Sequence, residues 1–222
     1  MNSSPADTPA SAPKSLQIGD PAPNFRARTT KGDVSLSDYR GHWLLLFSHP
    51  ADFTPVCTSE FVGLSRAGDR FKALDCELLA VSVDSLFSHL AWIRAIQDHF
   101  DVTVTFPVVE DPSLVIGRAY GMISDDAPDA ATVRATYFID PEGIIRASLS
   151  YPATVGRSVE ELLRVLAALQ RVDKENVVTP EGWHPGEDVL LPPFQDQASA
   201  LAGADDACWF HRTRPDKKGK RK

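Results

Sequence analysis

The chain has 222 residues, 43% of them hydrophobic and 24% charged, with a formal net charge of -7. That is enough for one globular domain with a real core plus some extension. The acidic balance argues against nucleic acid as the main partner, and no apolar stretch approaches the length of a membrane span.

Residues 1–15 are rich in Ser, Ala and Pro and have no apolar core. They read as a disordered tail and not as a secretory signal. Short strand-like pieces follow near residues 25–28 and 33–36, around a turn at Lys31-Gly32. The apolar run from Trp43 to Phe47 predicts a central buried strand over 43–49. A helix is expected from Thr54 to about residue 74, with Thr54 as its N-cap and Pro55 at the first helical position, where a missing N–H costs nothing. A second buried strand is expected over 78–84. The stripe Leu86, Leu90 and Ile93 predicts a helix over 86–100. Residues 106–109 read as a short strand and 112–120 as a short helix stopped by Gly121. A polar loop is expected over 125–129. Strands over 134–140 and 144–151, joined by Pro141-Glu142-Gly143, form a hairpin. Residues 158–172 predict an amphipathic helix with Ser158 capping and Glu161 at the capping-box position.

The C-terminal part has a different character. Residues 173–194 are Pro-rich and lack the periodicity of helix or strand. Exposed Trp183 and Phe194 in such a segment would point to contact with a partner subunit; a tail folded on its own subunit is the alternative. Residues 212–222 carry seven basic residues and one acid, which reads as a solvated, disordered basic tail. Cys57, Cys76 and Cys208 show neither a disulfide framework nor a metal-binding spacing, and a reducing cytoplasm is expected.

The chemistry concentrates at the turn between the 43–49 strand and the next helix, Ser48-His49-Pro50-Ala51-Asp52-Phe53-Thr54-Pro55-Val56-Cys57-Thr58-Ser59-Glu60. Cys57 falls in the first helical turn, where the positive end of the helix favours a thiolate over a thiol. The Thr54 hydroxyl, three residues earlier, can reach the sulfur or a bound oxygen. Pro50 and Phe53 can wall the sulfur off from bulk water. By itself a lone Cys here is equally a small buried hydrophobe.

The stretch resembles the active-site loop of the peroxiredoxins, P-x-x-x-T-x-x-C, at Pro50, Thr54 and Cys57. With its flanking His49 it is similar to the one-cysteine branch. Further matches are Ile18-Gly19-Asp20-Pro21-Ala22-Pro23-Asn24-Phe25, the segment from Ser82 to Ile93, and Tyr151-Pro152-Ala153-Thr154-Val155-Gly156-Arg157. The resemblance runs from about residue 16 to about 210. It implies an α/β, thioredoxin-like fold over 16–172 with a small C-terminal extension over 173–211 that contacts a partner in a dimer. It implies reduction of hydrogen peroxide and organic hydroperoxides, with Cys57 passing through a sulfenic acid that a thiol restores. No cofactor and no metal are expected. Thioredoxins carry C-x-x-C at this turn; the frame here is Thr54-Pro55-Val56-Cys57, so no disulfide can form within it.

Residue by residue, the resemblance places the active-site cation at Arg134 and an orienting acid at Glu60. It gives His49 and Arg157 supporting roles, with His49 able to donate to the sulfur or to a reductant. Cys76 reads as a packed structural thiol. Cys208 lies between the positions where relatives carry C-terminal cysteines, which align with Asp205 and His211. Cys208 is either a displaced resolving thiol or a bystander in a strictly one-Cys enzyme served by an external thiol. A homodimer, and a ring of dimers up to a decamer, are the expected assemblies, without nucleic acid or membrane partners. A lipase activity would need a G-x-S-x-G element before the 43–49 strand; the residues there are Asp38-Tyr39-Arg40-Gly41-His42-Trp43, with no Ser. A redox relay or a ring-shaped holdase is the non-catalytic alternative, and the presence of Thr54 and Arg134 disfavours it.

Overall fold

The computed structural model describes residues 16–123, 127, 129–202 and 208–216. The expected N-terminal tail, most of the 125–129 loop, Asp205 and the last six basic-tail residues lie outside them. The elements that build the domain are β1 (Arg26–Thr29), β2 (Gly32–Ser35), β3 (Trp43–Ser48), α1 (Pro55–Arg66), α2 (Gly68–Ala73), β4 (Cys76–Ser82), α3 (Leu86–Phe100), β5 (Val108–Glu110), α4 (Val115–Ala119), β6 (Arg134–Ile139), β7 (Ile145–Tyr151) and α5 (Val159–Lys174). A short 3-10 turn at Leu36–Tyr39 precedes β3.

The strands form one seven-stranded sheet in the order β2-β1-β5-β4-β3-β6-β7. β3 runs parallel to β4 and antiparallel to β6. Every residue of β3 is buried, because both faces of the sheet are covered. Side chains alternate across a strand. Leu45 and Phe47 therefore join the core under α1, α3 and α5, with Phe61, Trp92 and Leu166. Leu44 and Leu46 join the opposite core with Val81, Ile116 and Tyr120. The α/β, thioredoxin-like class expected from the sequence is the architecture found.

Several boundaries differ from the expectations. The helix expected over 54–74 breaks at Ala67, whose N–H is shared among the carbonyls of the preceding turn. Gly68, a poor helix former, opens the separate α2. β4 starts at Cys76, two residues early, and β5 covers 108–110 because Pro107 has no N–H to give. Thr54 occupies the N-cap position of α1, but its hydroxyl caps nothing; it donates to the Ala51 carbonyl at 2.9 Å. Ser158 does cap α5, accepting from the Glu161 N–H at 3.3 Å. The Glu161 carboxylate does not complete the box and pairs instead with Arg164 at 2.6 Å.

The C-terminal extension folds back on its own chain. Trp183 is 2% exposed and packs with Val177 and Val189 against Ala167 and Ala168 of α5. Its indole N–H donates to the Glu187 carbonyl at 3.0 Å, so the ring is satisfied where it sits. Phe194 stacks on Trp209 with ring centroids 6.4 Å apart, and the Arg212 guanidinium lies over it at 3.9 Å. The basic segment expected to be disordered from 212 onward is ordered over its first residues. Thr213–Arg214 form β9 against β8 (Val189–Leu190). Ion pairs with α5 and its C-cap explain this: Arg214 pairs with Glu175, and Arg171 of α5 reaches Asp216 of the tail at 2.8 Å. A short helix α6 (Gln197–Ala202) lies between.

Candidate active site

The topology brings the site residues to one end of the sheet. β3 delivers the chain to the turn 49–54, and α1 leaves from it. β6 runs antiparallel to β3, with Phe47 opposite Thr136, so Arg134 at the start of β6 lies at the end where β3 finishes. Ser48 stitches the two together, donating to the Val133 carbonyl at 2.6 Å and accepting from the Ala135 N–H at 3.1 Å. β7 pairs Tyr151 with Arg134. The loop that follows β7 therefore returns residues 152–157 to the same place.

Cys57 is fully buried in the first turn of α1. Arg134 Nη1 donates to its Sγ at 3.3 Å and to Glu60 Oε2 at 2.8 Å. The other face of the guanidinium is held by the Ala153 carbonyl, which accepts from Nε at 3.0 Å and from Nη2 at 2.7 Å. Glu60 lies one helical turn beyond Cys57 and is 5% exposed, so it is not a solvent-facing acid. Arg157 grips it three times: its backbone N–H and Nε on Oε1 at 2.7 and 2.9 Å, and Nη2 on Oε2 at 2.8 Å. Arg157 Nη1 then reaches back to the Ala135 carbonyl at 3.0 Å and the Thr136 hydroxyl at 3.1 Å. Burial opposes the charge on Glu60. The hydrogen bonds and charge of Arg157, with Arg134 adding to them, outweigh burial and hold its pKa below the ordinary carboxylate value.

Two guanidiniums and one carboxylate leave one positive charge beside the sulfur. A thiolate at Cys57 is the fourth charge that balances the set. Charge-assisted donors of this kind stabilise an anion more strongly than neutral ones. The Val56 and Cys57 N–H groups lie in the first turn, beyond reach of any helix carbonyl of their own. Thr54 has spent its proton on Ala51, so its oxygen remains available as an acceptor. Pro50 is buried beneath this turn.

His49 makes no hydrogen bond to the sulfur, which the sequence suggested it could. Its side chain is completely buried, and Nε2 faces Asp52 Oδ1 at 2.9 Å. Nδ1 is buried without a hydrogen-bond partner among the described residues. The ring packs edge-on against Phe61 at 4.9 Å and beside Trp92 at 5.3 Å. Asp52 and His89 carried no signal strong enough to single them out in the sequence. The signals available were the three-residue spacing of His49 and Asp52 across a turn and a His on the inner face of the 86–100 helix. Arg157, expected as a secondary residue, is as central as Arg134. Cys208 is exposed on the turn 208–210 of the extension, and Cys76 is buried at the start of β4. Burial pushes the Cys76 thiol far up, consistent with an inert packed group.

Residues 18–148 match the AhpC/TSA family, and residues 168–206 match the C-terminal domain of 1-Cys peroxiredoxin. The chain is 46% identical over 200 residues to Peroxiredoxin 2 of Picrophilus torridus, covering 89% of this chain and 98% of that one. It is 46% identical over 177 residues to Peroxiredoxin 2 of Caldanaerobacter subterraneus subsp. tengcongensis, covering 80% of each. The structure of the yeast mitochondrial 1-Cys peroxiredoxin superposes with a TM-score of 0.77 at 40% identity, covering 84% of this chain and 92% of that one. The Peroxiredoxin 6 structure of Arenicola marina superposes with a TM-score of 0.82 at 28% identity, covering 92% and 100%. With the motif, the fold and these relatives in agreement over most of its length, the chain belongs to the AhpC/TSA family and is a peroxiredoxin, a thiol-dependent peroxidase.

Proposed function

We propose that Cys57 is the thiol that reduces hydrogen peroxide and organic hydroperoxides, and that Arg134, Thr54 and Pro50 form the rest of its catalytic setting. The observation that carries this is the single Arg134 Nη1 donating to both the Cys57 sulfur and Glu60. The Cys57 thiolate attacks the nearer peroxide oxygen. The S–O bond forms as the O–O bond breaks, and the electron pair leaves on the distal oxygen as hydroxide or alkoxide, which takes up a proton. Cys57 is left as a sulfenic acid, oxidised by two electrons. Arg134 and the first-turn N–H groups meet the charge that develops on the oxygens. The Thr54 oxygen accepts the peroxide O–H and orients it. Glu60 and Arg157 hold Arg134 in place.

Two molecules of an external thiol then restore Cys57, releasing water and a disulfide. The yeast mitochondrial 1-Cys peroxiredoxin is resolved through glutathione/thioredoxin systems, and a small or protein thiol of that chemistry suits this chain. The exposed position of Cys208 keeps a resolving role open to it, in which case the product is a Cys57–Cys208 disulfide. Intact-mass measurement after one equivalent of peroxide decides between them. A gain of one oxygen on Cys57 that an added thiol removes supports the external route. A loss of two hydrogens that disappears in Cys208→Ser supports the resolving route. No mass change at Cys57 overturns the assignment. The reading includes a homodimer contacted through the extension, with a ring of dimers as its larger form, in a reducing cytoplasm. Among the described residues no helix is long and apolar enough to cross a membrane.

A further inference from the structure

His49, Asp52 and His89 form a buried cluster beside the active-site turn, and the reduction of peroxide at Cys57 uses none of its protons. The side chains of both histidines are 0% exposed and that of Asp52 is 1% exposed. An ionised carboxylate only accepts hydrogen bonds. Asp52 takes His49 Nε2 on Oδ1 at 2.9 Å and His89 Nδ1 on Oδ2 at 2.9 Å. Burial works against its charge, yet the two imidazoles keep its pKa well below the ordinary value, so the carboxylate is ionised. Both facing nitrogens therefore carry protons.

The two rings differ at their other nitrogens. His89 Nε2 faces the Val109 carbonyl at 3.3 Å, and a carbonyl also only accepts. A ring with acceptors at both nitrogens is satisfied only as an imidazolium. His49 Nδ1 has no hydrogen-bond partner among the described residues, and burial pushes the His49 pKa down, so this ring is neutral with its proton on Nε2. The cluster then holds one negative and one positive charge. That pairing is the condition under which charges tolerate burial. The other charged groups that face it are Asp84, which accepts the Asp52 backbone N–H at 3.0 Å, and Glu110, which is engaged by Arg28.

The turn that Asp52 anchors does not hold itself by local preference. Phe53 sits at φ 55°, a left-handed backbone that a bulky aromatic residue adopts only under constraint. It is 60% exposed, and its ring meets Trp92 at a centroid distance of 6.5 Å. Thr54 follows directly, and Cys57 lies three residues later, in the first turn of the helix.

We propose that His89 and Asp52 are positioning residues for the peroxide reaction: an imidazolium–carboxylate pair reaching from α3 that fixes His49 as its Nε2–H tautomer and pins the turn carrying Thr54 and Cys57. The proposal rests on Cys57 as the reacting thiol, but its first test does not. Long-range ¹H–¹⁵N spectra of the full, reduced chain are expected to show two protonated nitrogens on His89 and one, Nε2, on His49. A bare nitrogen on His89, or a proton on His49 Nδ1, overturns it. In Asp52→Asn the new amide can accept from His49 and donate to His89 Nδ1. His49 is then expected to keep its tautomer, and the peroxide oxidation rate of Cys57, followed by stopped-flow Trp fluorescence, is expected to fall less than in Asp52→Ala; an equal fall in the two overturns the pinning role. His89→Leu supplies no donor, and its oxidation rate is expected to fall at least about fivefold, well inside the roughly hundredfold that a 1 Å misplacement of reacting groups can cost; a smaller fall overturns the proposal. If His89→Leu does not fold, Asp52→Ala is compared with Asp52→Asn by the same criterion. Failure of the wild-type chain itself to oxidise at Cys57 would strike the assignment of Cys57, while the spectra would still decide the protonation of the cluster by themselves.

Discussion

Arg157 occupies both carboxylate oxygens of Glu60, and it does so with its backbone N–H as well as its guanidinium. Glu60 is therefore neutralised before Arg134 reaches it, and Arg134 keeps its positive potential for the sulfur. Remove Arg157 and a buried carboxylate is left to compete with Cys57 for the one remaining cation of the pair. Arg157→Met is expected to slow peroxide oxidation of Cys57 by about tenfold or more, on the scale of a lost charge-assisted contact. It is also expected to lower stability by about 3 kcal/mol, because it breaks a buried ion pair by removing one partner. Stopped-flow oxidation and chemical denaturation measure the two effects. A variant with wild-type stability would show that Glu60 and Arg157 are not coupled as the geometry has them.

Arg134→Met makes the opposite cut. The Glu60–Arg157 pair stays intact and neutral, so the fold is expected to lose much less than in Arg157→Met. The sulfur loses the guanidinium that donates to it. Alkylation of Cys57 by iodoacetamide at neutral pH is expected to slow, and peroxide oxidation to slow by about a hundredfold, as removal of one preorganised donor from a developing charge does. Equal alkylation and oxidation rates in variant and wild type would remove Arg134 from the site.

Much of the fold and the site is legible in the sequence, and the reasons are physical. The apolar run Trp43–Phe47 of β3, the Pro55 start of α1 and the Cys57 position depend on local rules of burial and capping, and a sequence states those directly. The chain order of the site residues is likewise visible through the motif. Their partners are not. Glu60 looks like one exposed acid among many until β6 and the loop after β7 bring two arginines onto it. His49 looks like a donor to the sulfur because its nearest chemical neighbour in sequence is the Cys57 turn. Its actual partner, Asp52, is held at the same time by His89, 37 residues further along the chain. Trp183 looks like a docking residue because its Pro-rich surroundings show no periodicity. Its burial comes from the small Ala167-Ala168 face of α5, which a periodicity argument counts only as apolar.

Acid should expose the buried carboxylates. Glu60 and Asp52 both have native pKa values below their ordinary ones of 4.5 and 3.8. A depressed native value gives stability that is fully present above the unfolded value and is lost as pH falls toward the native one. The chain is therefore expected to keep its stability down to about pH 5 and to lose it progressively below about pH 4.5. Glu60→Gln removes one of the two contributions. It is expected to be less stable at neutral pH and to show a shallower decline on acidification. Urea denaturation at a series of pH values reads this out; parallel curves for variant and wild type would mean that Glu60 titrates normally in the native state.

A close approach behind the sulfur gives the last prediction. Gly156 lies in the loop that carries Ala153 and Arg157, and that loop packs on the first turn of α1. A Cβ at Gly156 would sit 3.3 Å from Val56 Cγ1 and 4.0 Å from Glu60 Cγ. The first distance is tighter than an ordinary contact, so Val56 or the loop must give by a few tenths of an ångström. Val56 adjoins Cys57, and the loop holds Arg134 through the Ala153 carbonyl, so either movement disturbs the Arg134–Cys57 contact. Gly156→Ala is expected to slow oxidation severalfold while costing about 1 kcal/mol or less, at the low end of overpacking. The cause can be isolated with a second change. Val56→Ala shortens the side chain that clashes and leaves the backbone N–H in place. If steric pressure on Val56 is the mechanism, the double variant recovers most of the rate that Gly156→Ala loses, and the two substitutions are strongly non-additive. Simple addition of the two effects would mean that Gly156 acts through the loop's own backbone instead, and that the Ala153 carbonyl is the group to follow.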